Sequence, residues 1–332
     1  MSLAPARRAP SRPAAKRTGA GKPAAKPKRP AKREPVLRSG FRAAAPAKIN
    51  LYLHVVGRRD DGFHLLDSLV AFADIHDTVT AVEADEITLN VSGPFASALQ
   101  AEPDNLVLRA ARALASAGGV RRGARMRLIK RLPVASGIGG GSTDAAATLR
   151  VLSALWRVKP AKSDLHKLAL DLGADVPVCL GGRALYMGGI GDALSPAPAL
   201  PRAGLVLVNP GTPLPTPPVF KARQGAFSAP ARFADAPRDA RALARMLESR
   251  RNDLTQAATG LLPAIGTVLD ELASTPGCLL ARMSGSGATC FGLFDDAPAA
   301  AKAASHLAKL GRGWWVAPGR LVADIAEVKP EV

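Results

Sequence analysis

The sequence predicts an α+β protein of two domains, and three observations lead there. Strand-like and helix-like segments follow one another without the regular β-α alternation of a doubly wound sheet. A proline-rich stretch near residues 196–201 interrupts the succession and sets a boundary between 42–197 and 198–332. The 332-residue length suits two ordinary domains plus residues 1–41, which have almost no large apolar side chains.

From Phe41 onward the elements read in order. AKINLYLHVVG alternates Ile49, Leu51, Leu53 and Val55 on one side, the pattern of a half-buried strand ending at Gly57. RRDDGFH follows as a turn with its Asp-Gly pair, and LLDSLVAFADIHDTVTAVEA and ITLNVSG give further strands. Asp104 and Asn105 precede a helix, NLVLRAARALASAGG, closed by Gly118 and Gly119. ARMRLIKRLP is a strand that runs straight into the glycine-rich segment PVASGIGGGSTDAAATLR, residues 133–150. Beyond it, Ala145, Leu149, Leu152 and Trp156 fall at helical spacing. A second helix starts at Ser163 or Asp164, carries Leu165, Leu168 and Leu172, and stops at Gly173, just before Asp175 and Pro177. After the boundary come strand LVLVN, an extended proline-rich stretch, helices around 238–250 and 262–275, LLARMSGSGATCFGLF, a helix near 299–310 and a strand around WWVAP.

Residues 1–45 hold thirteen Lys or Arg against one acid, Glu34, and so carry +12 of the +18 net charge. Alanine, proline, lysine and arginine cannot bury enough apolar surface to offset the entropy of ordering, so residues 1–41 read as a disordered basic tail. Its abundant prolines argue against an amphipathic targeting helix. The charge is a solvated extension rather than a specific nucleic-acid surface, since so little of it belongs to the folded part. No apolar run reaches the length of a bilayer, and no membrane association or obligate protein partner is expected. Cys179, Cys278 and Cys290 are distant and unpaired in pattern, which fits a reducing cytoplasm and excludes a cysteine zinc framework.

The glycine-rich segment carries the chemistry. A Walker A loop requires a lysine before the hydroxyls, and none is present. A dinucleotide fingerprint fails because Ser142 stands where its last glycine belongs, and the protein-kinase loop fails there too. What remains is an anion nest: successive glycines let backbone N–H groups converge without Cβ atoms, and the helix that follows adds its positive dipole end. Ser142 and Thr143 serve either as helix caps or as oxygen ligands toward a magnesium–phosphate complex.

PVASGIGGGSTDAA resembles the second motif of the GHMP kinases, and MSGSGATCFGLF, residues 283–294, resembles their third. APAKINLYLHVVGRRDDGFHLLDSL, LGADVPVCLGG and PTPPVFK are similar to the branch whose acceptor is a cytidine diphosphate conjugate of methylerythritol. The resemblance runs from about residue 42 to the C-terminus. It implies an N-terminal ribosomal-protein-S5-like domain and a C-terminal ferredoxin-like domain. It also implies ATP-dependent phosphorylation of the conjugate's 2-hydroxyl, in the non-mevalonate route to isopentenyl diphosphate, with ATP as co-substrate and Mg2+. The alternatives are another GHMP kinase of homoserine or mevalonate type, and a nucleic-acid-binding protein on an inactive kinase fold.

By the same resemblance, Asp175 is the base and Lys48 its partner. ATP is held by Pro133, Val134, Ala135, Ser136, Gly137, Ile138, Gly139, Gly140, Gly141, Ser142 and Thr143, with Gly285, Ser286 and Gly287 from the third motif. Ser142 is the expected metal ligand. Asn50, Phe63, His64, Thr216 and Phe220 are the expected acceptor contacts, the cytosine lying between the two phenylalanines with His64 at its edge. Phe63 stands where the family has tyrosine, so the stacking face is kept and a hydroxyl is lost. Asp144 reads as a structural residue that favours the helix dipole.

Overall fold

The structure, a computed structural model, describes residues 40–99, 105–310, 312–325 and 327–331. Residues 1–39, most of the expected tail, lie outside this range, as does Asp104. The described residues belong to one compact unit and combine strands and helices as an α+β fold.

Strands β1 (Gly40–Arg58) and β2 (His64–Ala84) form a long antiparallel ribbon joined by the Asp-Gly turn. β3 (Ile87–Ser92) runs parallel to β4 (Gly123–Ile129), which pairs with β2; α1 (Leu106–Ala117) lies between them in sequence and is capped by Asn105 Oδ1 accepting from the Val107 and Leu108 amides. Then follow α2 (Gly140–Trp156), α3 (Lys162–Leu172), α4 (Val176–Gly181), β5 (Leu185–Gly189) and β6 (Ala193–Pro196). The remaining elements are β7 (Gly204–Asn209), α5 (Thr216–Ala222), α6 (Ala240–Glu248), α7 (Thr255–Leu261), α8 (Ala264–Ser274), β8 (Leu280–Met283), β9 (Cys290–Phe294), α9 (Ala297–Ala308), β10 (Trp315–Val322) and β11 (Val328–Glu331).

The expected boundary at 196–201 falls between β6 and β7, and the chain later returns across it. β10 pairs with β7 along its length and reaches β2 through Leu321 and Val322, so the two sheets are continuous there. β11 closes antiparallel on β1, starting opposite Ala43 and ending opposite Gly40. The first two residues of β1, Gly40 and Phe41, are paired with β2 although the sequence reads them as tail.

β1 departs from simple alternation. Ile49 and Leu51 lie in one apolar cluster with Leu205, Leu243 and Phe291, whereas Leu53 and Val55 lie in the other with Leu149 and Leu152. The register slips between Asn50 and Tyr52, where an extra residue in β1 turns the following side chains to the opposite face. Both faces are therefore buried, and the expectation of four residues on one side is corrected. A second irregularity, between Pro46 and Lys48, sits on the other flank of the same short segment. Lys48 and Asn50 share a face between these two irregularities.

Three short helices escape the sequence pattern. α4 and α7 have six and seven residues, too few for a readable period. α5 occupies a stretch that its prolines suggest is extended; they fall in its first turn, where no intrahelical N–H is needed.

Candidate active site

The glycine segment leaves β4 and enters α2 two residues earlier than the hydroxyls suggest. Gly139 is left-handed, with φ +64°, and the first helical bond runs from the Thr143 amide to Gly139 O at 2.9 Å. The amides of Gly140, Gly141 and Ser142 are thereby without intrahelical acceptors at the positive end of a 17-residue helix. Thr143 is buried, and its hydroxyl bonds back to the carbonyls of Gly139 and Gly140. The Ser136 hydroxyl donates to Pro133 O at 2.6 Å and closes the loop on itself.

The second glycine loop, between β8 and β9, presses against the first. A Cβ on Gly137 would meet Gly287 O at 2.5 Å, and one on Gly285 would meet Gly137 O at 2.6 Å. Ser284 Oγ accepts from the Asn50 amide at 3.1 Å and donates to Gly137 O at 3.3 Å. One hydroxyl thus ties β1 to both loops. The Thr289 amide donates to Ser136 O, and the Lys48 amide to Ile138 O.

Around these loops lies a cleft of about 420 Å³. Its walls include Ala135, Ser136, Gly137, Gly139, Gly140, Gly141 and Ser142 from the first loop, and Gly285 and Ser286 from the second. Lys48, Asn50, Asp175, Thr216 and Phe220 also line it. Pro133, Val134, Ile138, Thr143 and Gly287 are outside its walls, Ile138 being fully buried in the core. Lys48 Nζ donates to Asp175 Oδ2 at 2.6 Å, and the lysine stem packs 3.2 Å from where a Gly139 Cβ would stand. Asp175 immediately precedes α4; its side chain makes no capping bond and faces Lys48 instead. Thr216 Oγ1 and Ser286 Oγ are 2.8 Å apart. Asn50 Nδ2 donates to Ser68 Oγ, and its buried Oδ1 has no hydrogen-bond partner.

A second cavity, about 570 Å³, adjoins the first and shares Leu66, Ile190, Thr216 and Phe220 with it. Phe63 and His64 line this one. The His64 and Phe220 rings are 5.2 Å apart at 32°, while Phe63 is largely exposed at the rim. Burial, with Arg58 and Arg223 adding to it, holds the His64 imidazole below the usual histidine range.

Two groups were not legible in the sequence. Lys130 Nζ, buried under the first loop, donates to Asp77 Oδ2 at 2.6 Å and Asp144 Oδ2 at 2.7 Å. Asp77 Oδ1 accepts from the Arg131 and Leu132 amides, so the triad pins the strand exit to the helix entry on either side of the loop. Asp144 is therefore a buried ion-pair partner rather than a solvated charge answering the helix dipole. Burial pushes its carboxyl up, and Asp77 adds to that against the pull of Lys130. Asn252 is the other group. Its Nδ2 donates to Met283 O and Gly285 O, both at 2.8 Å, and its Oδ1 accepts from the Leu254 amide. The only signal for either is long-range pairing, which a local pattern does not carry.

Among the described residues no group of three His, Cys, Asp or Glu side chains could hold a metal by itself, and no helix is long and apolar enough to cross a membrane. All three cysteines are free.

Residues 105–183 match the GHMP kinases N terminal domain, and residues 231–313 match the GHMP kinases C terminal domain. A homoserine kinase structure from Cytophaga hutchinsonii has the same fold, with a TM-score of 0.69 at 16% identity over 90% of this chain and 99% of that one. Fold and paired glycine loops thus define a GHMP kinase. The 4-diphosphocytidyl-2-C-methyl-D-erythritol kinase of Paramagnetospirillum magneticum is 55% identical over 86% of this chain and all of its own length. That of Rhodospirillum rubrum is also 55% identical, over 86% of this chain and 94% of its own length. A crystal structure of 4-(cytidine 5'-diphospho)-2C-methyl-D-erythritol kinase covers 84% of this chain and 98% of its own, at 36% identity and a TM-score of 0.68. The chain belongs to the 4-diphosphocytidyl-2-C-methyl-D-erythritol kinase family.

Proposed function

We infer that the chain transfers the γ-phosphoryl group of ATP to the 2-hydroxyl of 4-diphosphocytidyl-2-C-methyl-D-erythritol, a step of non-mevalonate isoprenoid synthesis. The observation that carries this reading beyond family membership is the Lys48–Asp175 pair, set in a cleft lined by two glycine loops and continuous with an aromatic pocket.

Phosphoryl transfer asks mainly for positioning and charge stabilisation. The free amides of Gly140, Gly141 and Ser142 receive phosphate oxygens, and Gly285 and Ser286 cover them from the other side. Lys48 takes Oδ2 of Asp175 and leaves Oδ1 for the acceptor hydroxyl. As the new O–P bond forms and the bond to the β-phosphate oxygen breaks, Asp175 receives the hydroxyl proton. The Lys48 ammonium fixes the orientation of the carboxylate and offsets charge on the transferring group. Asn50 Oδ1, on the first cavity's side, and Thr216, on the wall the two cavities share, orient the alcohol. Cytosine stacks on Phe63 and Phe220 with His64 at its edge, where a neutral imidazole can both donate and accept.

Magnesium bound with the nucleotide supplies charge neutralisation on the phosphates, and the half-buried Ser142 hydroxyl on the cleft wall is this chain's ligand for it. Among the described residues no acidic cluster stands beside it. The division into domains 42–197 and 198–332 puts the first loop and both reacting side chains in the former. The three free cysteines support a cytoplasmic setting. The test is phosphorylation of the cytidyl conjugate against mevalonate and homoserine. Turnover confined to the conjugate is expected; turnover of either other alcohol with the conjugate untouched overturns the reading.

A further inference from the structure

α2 opens with the free amides of the first glycine loop, and ten residues further on it carries Arg150. This guanidinium reaches two other elements. Arg150 Nη1 donates to Cys179 O at 3.1 Å, and Nη2 donates to Ala44 O at 3.2 Å. Cys179 lies in the six-residue α4, four residues after Asp175, and its carbonyl belongs to the last turn, where helical amides run out. Ala44 lies four residues before Lys48 in β1, just past Ala43, the last β1 residue paired with β11. One side chain therefore holds both segments that bring Lys48 and Asp175 to 2.6 Å, and holds them to the helix whose N-terminus faces the cleft.

Arg150 is not placed there as an ion pair. Among the described residues its hydrogen-bond partners are these two carbonyls and no carboxylate, and its Nε is buried without a partner. What a guanidinium supplies at such a point is a rigid planar fork, whose two donors keep their acceptors at a set separation. β1 and α4 both pack on α2 and scarcely touch each other, so their spacing is set through that helix. β1 has a further tie, from the Lys48 amide to Ile138 O at 2.9 Å, two residues before α2 begins. We propose that Arg150 is a positioning residue: through α2 it fixes where Asp175 stands relative to Lys48 and to the phosphate-facing amides, and so governs the rate of the chemical step rather than the binding of ATP. This rests on the functional reading above. A misplacement of about 1 Å at reacting groups costs a transfer reaction up to about a hundredfold in rate.

The test measures kcat with the cytidyl conjugate, affinity for a non-hydrolysable ATP analogue, and thermal melting on full-length wild type, R150M, R150K, D175N and R150M/D175N. R150M keeps the apolar stem and removes the fork. Its kcat is expected to fall by about tenfold to a hundredfold with ATP affinity little changed. R150K should recover part of the loss, because an ammonium can serve one carbonyl without fixing the pair. In the D175N background the same change should alter kcat by no more than about twofold, since the group that Arg150 places has lost its function. A merely structural role predicts a lower melt with kcat intact, or an equal loss of kcat in both backgrounds, and either result overturns the proposal. If R150M does not bind the analogue in full, R150K is carried through the same cycle with the same criteria. Crystal structures of wild type and the variant read the geometry directly: Asp175 should be displaced from Lys48 by about 1 Å, and an unmoved pair contradicts the link. They also separate the two levels. A displaced pair in a protein whose wild type leaves the conjugate untouched defeats the functional reading alone; wild-type turnover with the pair unmoved in R150M defeats only the role of Arg150.

Discussion

Lys48 Nζ lies 2.6 Å from Asp175 Oδ2, although 127 residues separate them in the chain. The lysine is almost wholly buried and the aspartate about one-third exposed on the cleft. A buried ammonium needs a counter-charge, and here it is Asp175, the carboxylate proposed above to meet the acceptor. The irregularities on either side of Lys48–Asn50 in the β1–β2 ladder and the turn before α4 bring the two together.

Replacing Asp175 by Asn removes the proposed proton acceptor and keeps the shape. Turnover should fall by about 10²–10⁴-fold, as for loss of a general base, with ATP affinity little changed. Steady-state kinetics beside ATP titration checks this, and an unaltered kcat removes Asp175 from the chemistry.

Two glycines of the first loop should respond in opposite ways. Gly137 has φ +76° and no room for a Cβ against Gly287 O, so G137A should destabilise the fold and push the two loops apart. Gly141 is helical, and its Cβ would make an ordinary 3.5 Å contact with Leu106 Cδ1 at the cleft wall. G141A should therefore gain stability by about 0.4–1 kcal/mol while raising the KM for ATP several-fold. Thermal melts and ATP kinetics on both variants give the comparison. An unchanged KM in G141A would place the phosphates elsewhere.

Lys130 is the single cation between two buried carboxylates. K130M leaves Asp77 and Asp144 facing each other and should cost about 3–5 kcal/mol, the usual penalty for breaking a buried pair. Adding D144N to K130M should recover part of this, since one uncompensated charge disappears. Denaturant melts of the single and double variants measure it; additive losses would show that the triad is not one unit.

His64 is held below the usual histidine range by burial and by Arg58 and Arg223. Its neutral form is the one favoured in the folded protein. The corresponding contribution to stability is present above the unfolded value and is lost as pH falls through the depressed one. Affinity for uncharged cytidine should accordingly stay level as pH falls past about 6.5, the ordinary histidine value, and change only below it. A cytidine titration series across pH reads this directly, and a midpoint at or above the ordinary value contradicts the arrangement.

The glycine loops could be read from the sequence because close backbone approach is a local requirement, met within a few residues by Gly137 and Gly139 in one loop and by Gly285 and Gly287 in the other. α2 was legible as a helix from the spacing of Ala145, Leu149, Leu152 and Trp156, but it is buried all round from Thr143 to Leu149 rather than amphipathic. β1 misled because a single extra residue near Leu51 reverses which side chains share a face, and composition does not record a bulge. α5 was hidden by its own prolines, which mark a helix start and an extended strand equally well. Lys130 and Asn252 were invisible for another reason. A lysine at the end of a basic strand and an asparagine between helices acquire their roles only when Asp77, Asp144 or the second glycine loop arrives from afar. Lys48 and Asp175 are just as distant from each other, and were found only because the motifs around them resemble those of known kinases.

The most direct measurement is a crystal structure with a non-hydrolysable ATP analogue and the cytidyl acceptor bound together. The terminal phosphate should sit on the amides of Gly140–Ser142, with the acceptor 2-hydroxyl within hydrogen-bonding reach of Asp175. A triphosphate seated away from both glycine loops, or an acceptor hydroxyl turned from Asp175, would contradict the account.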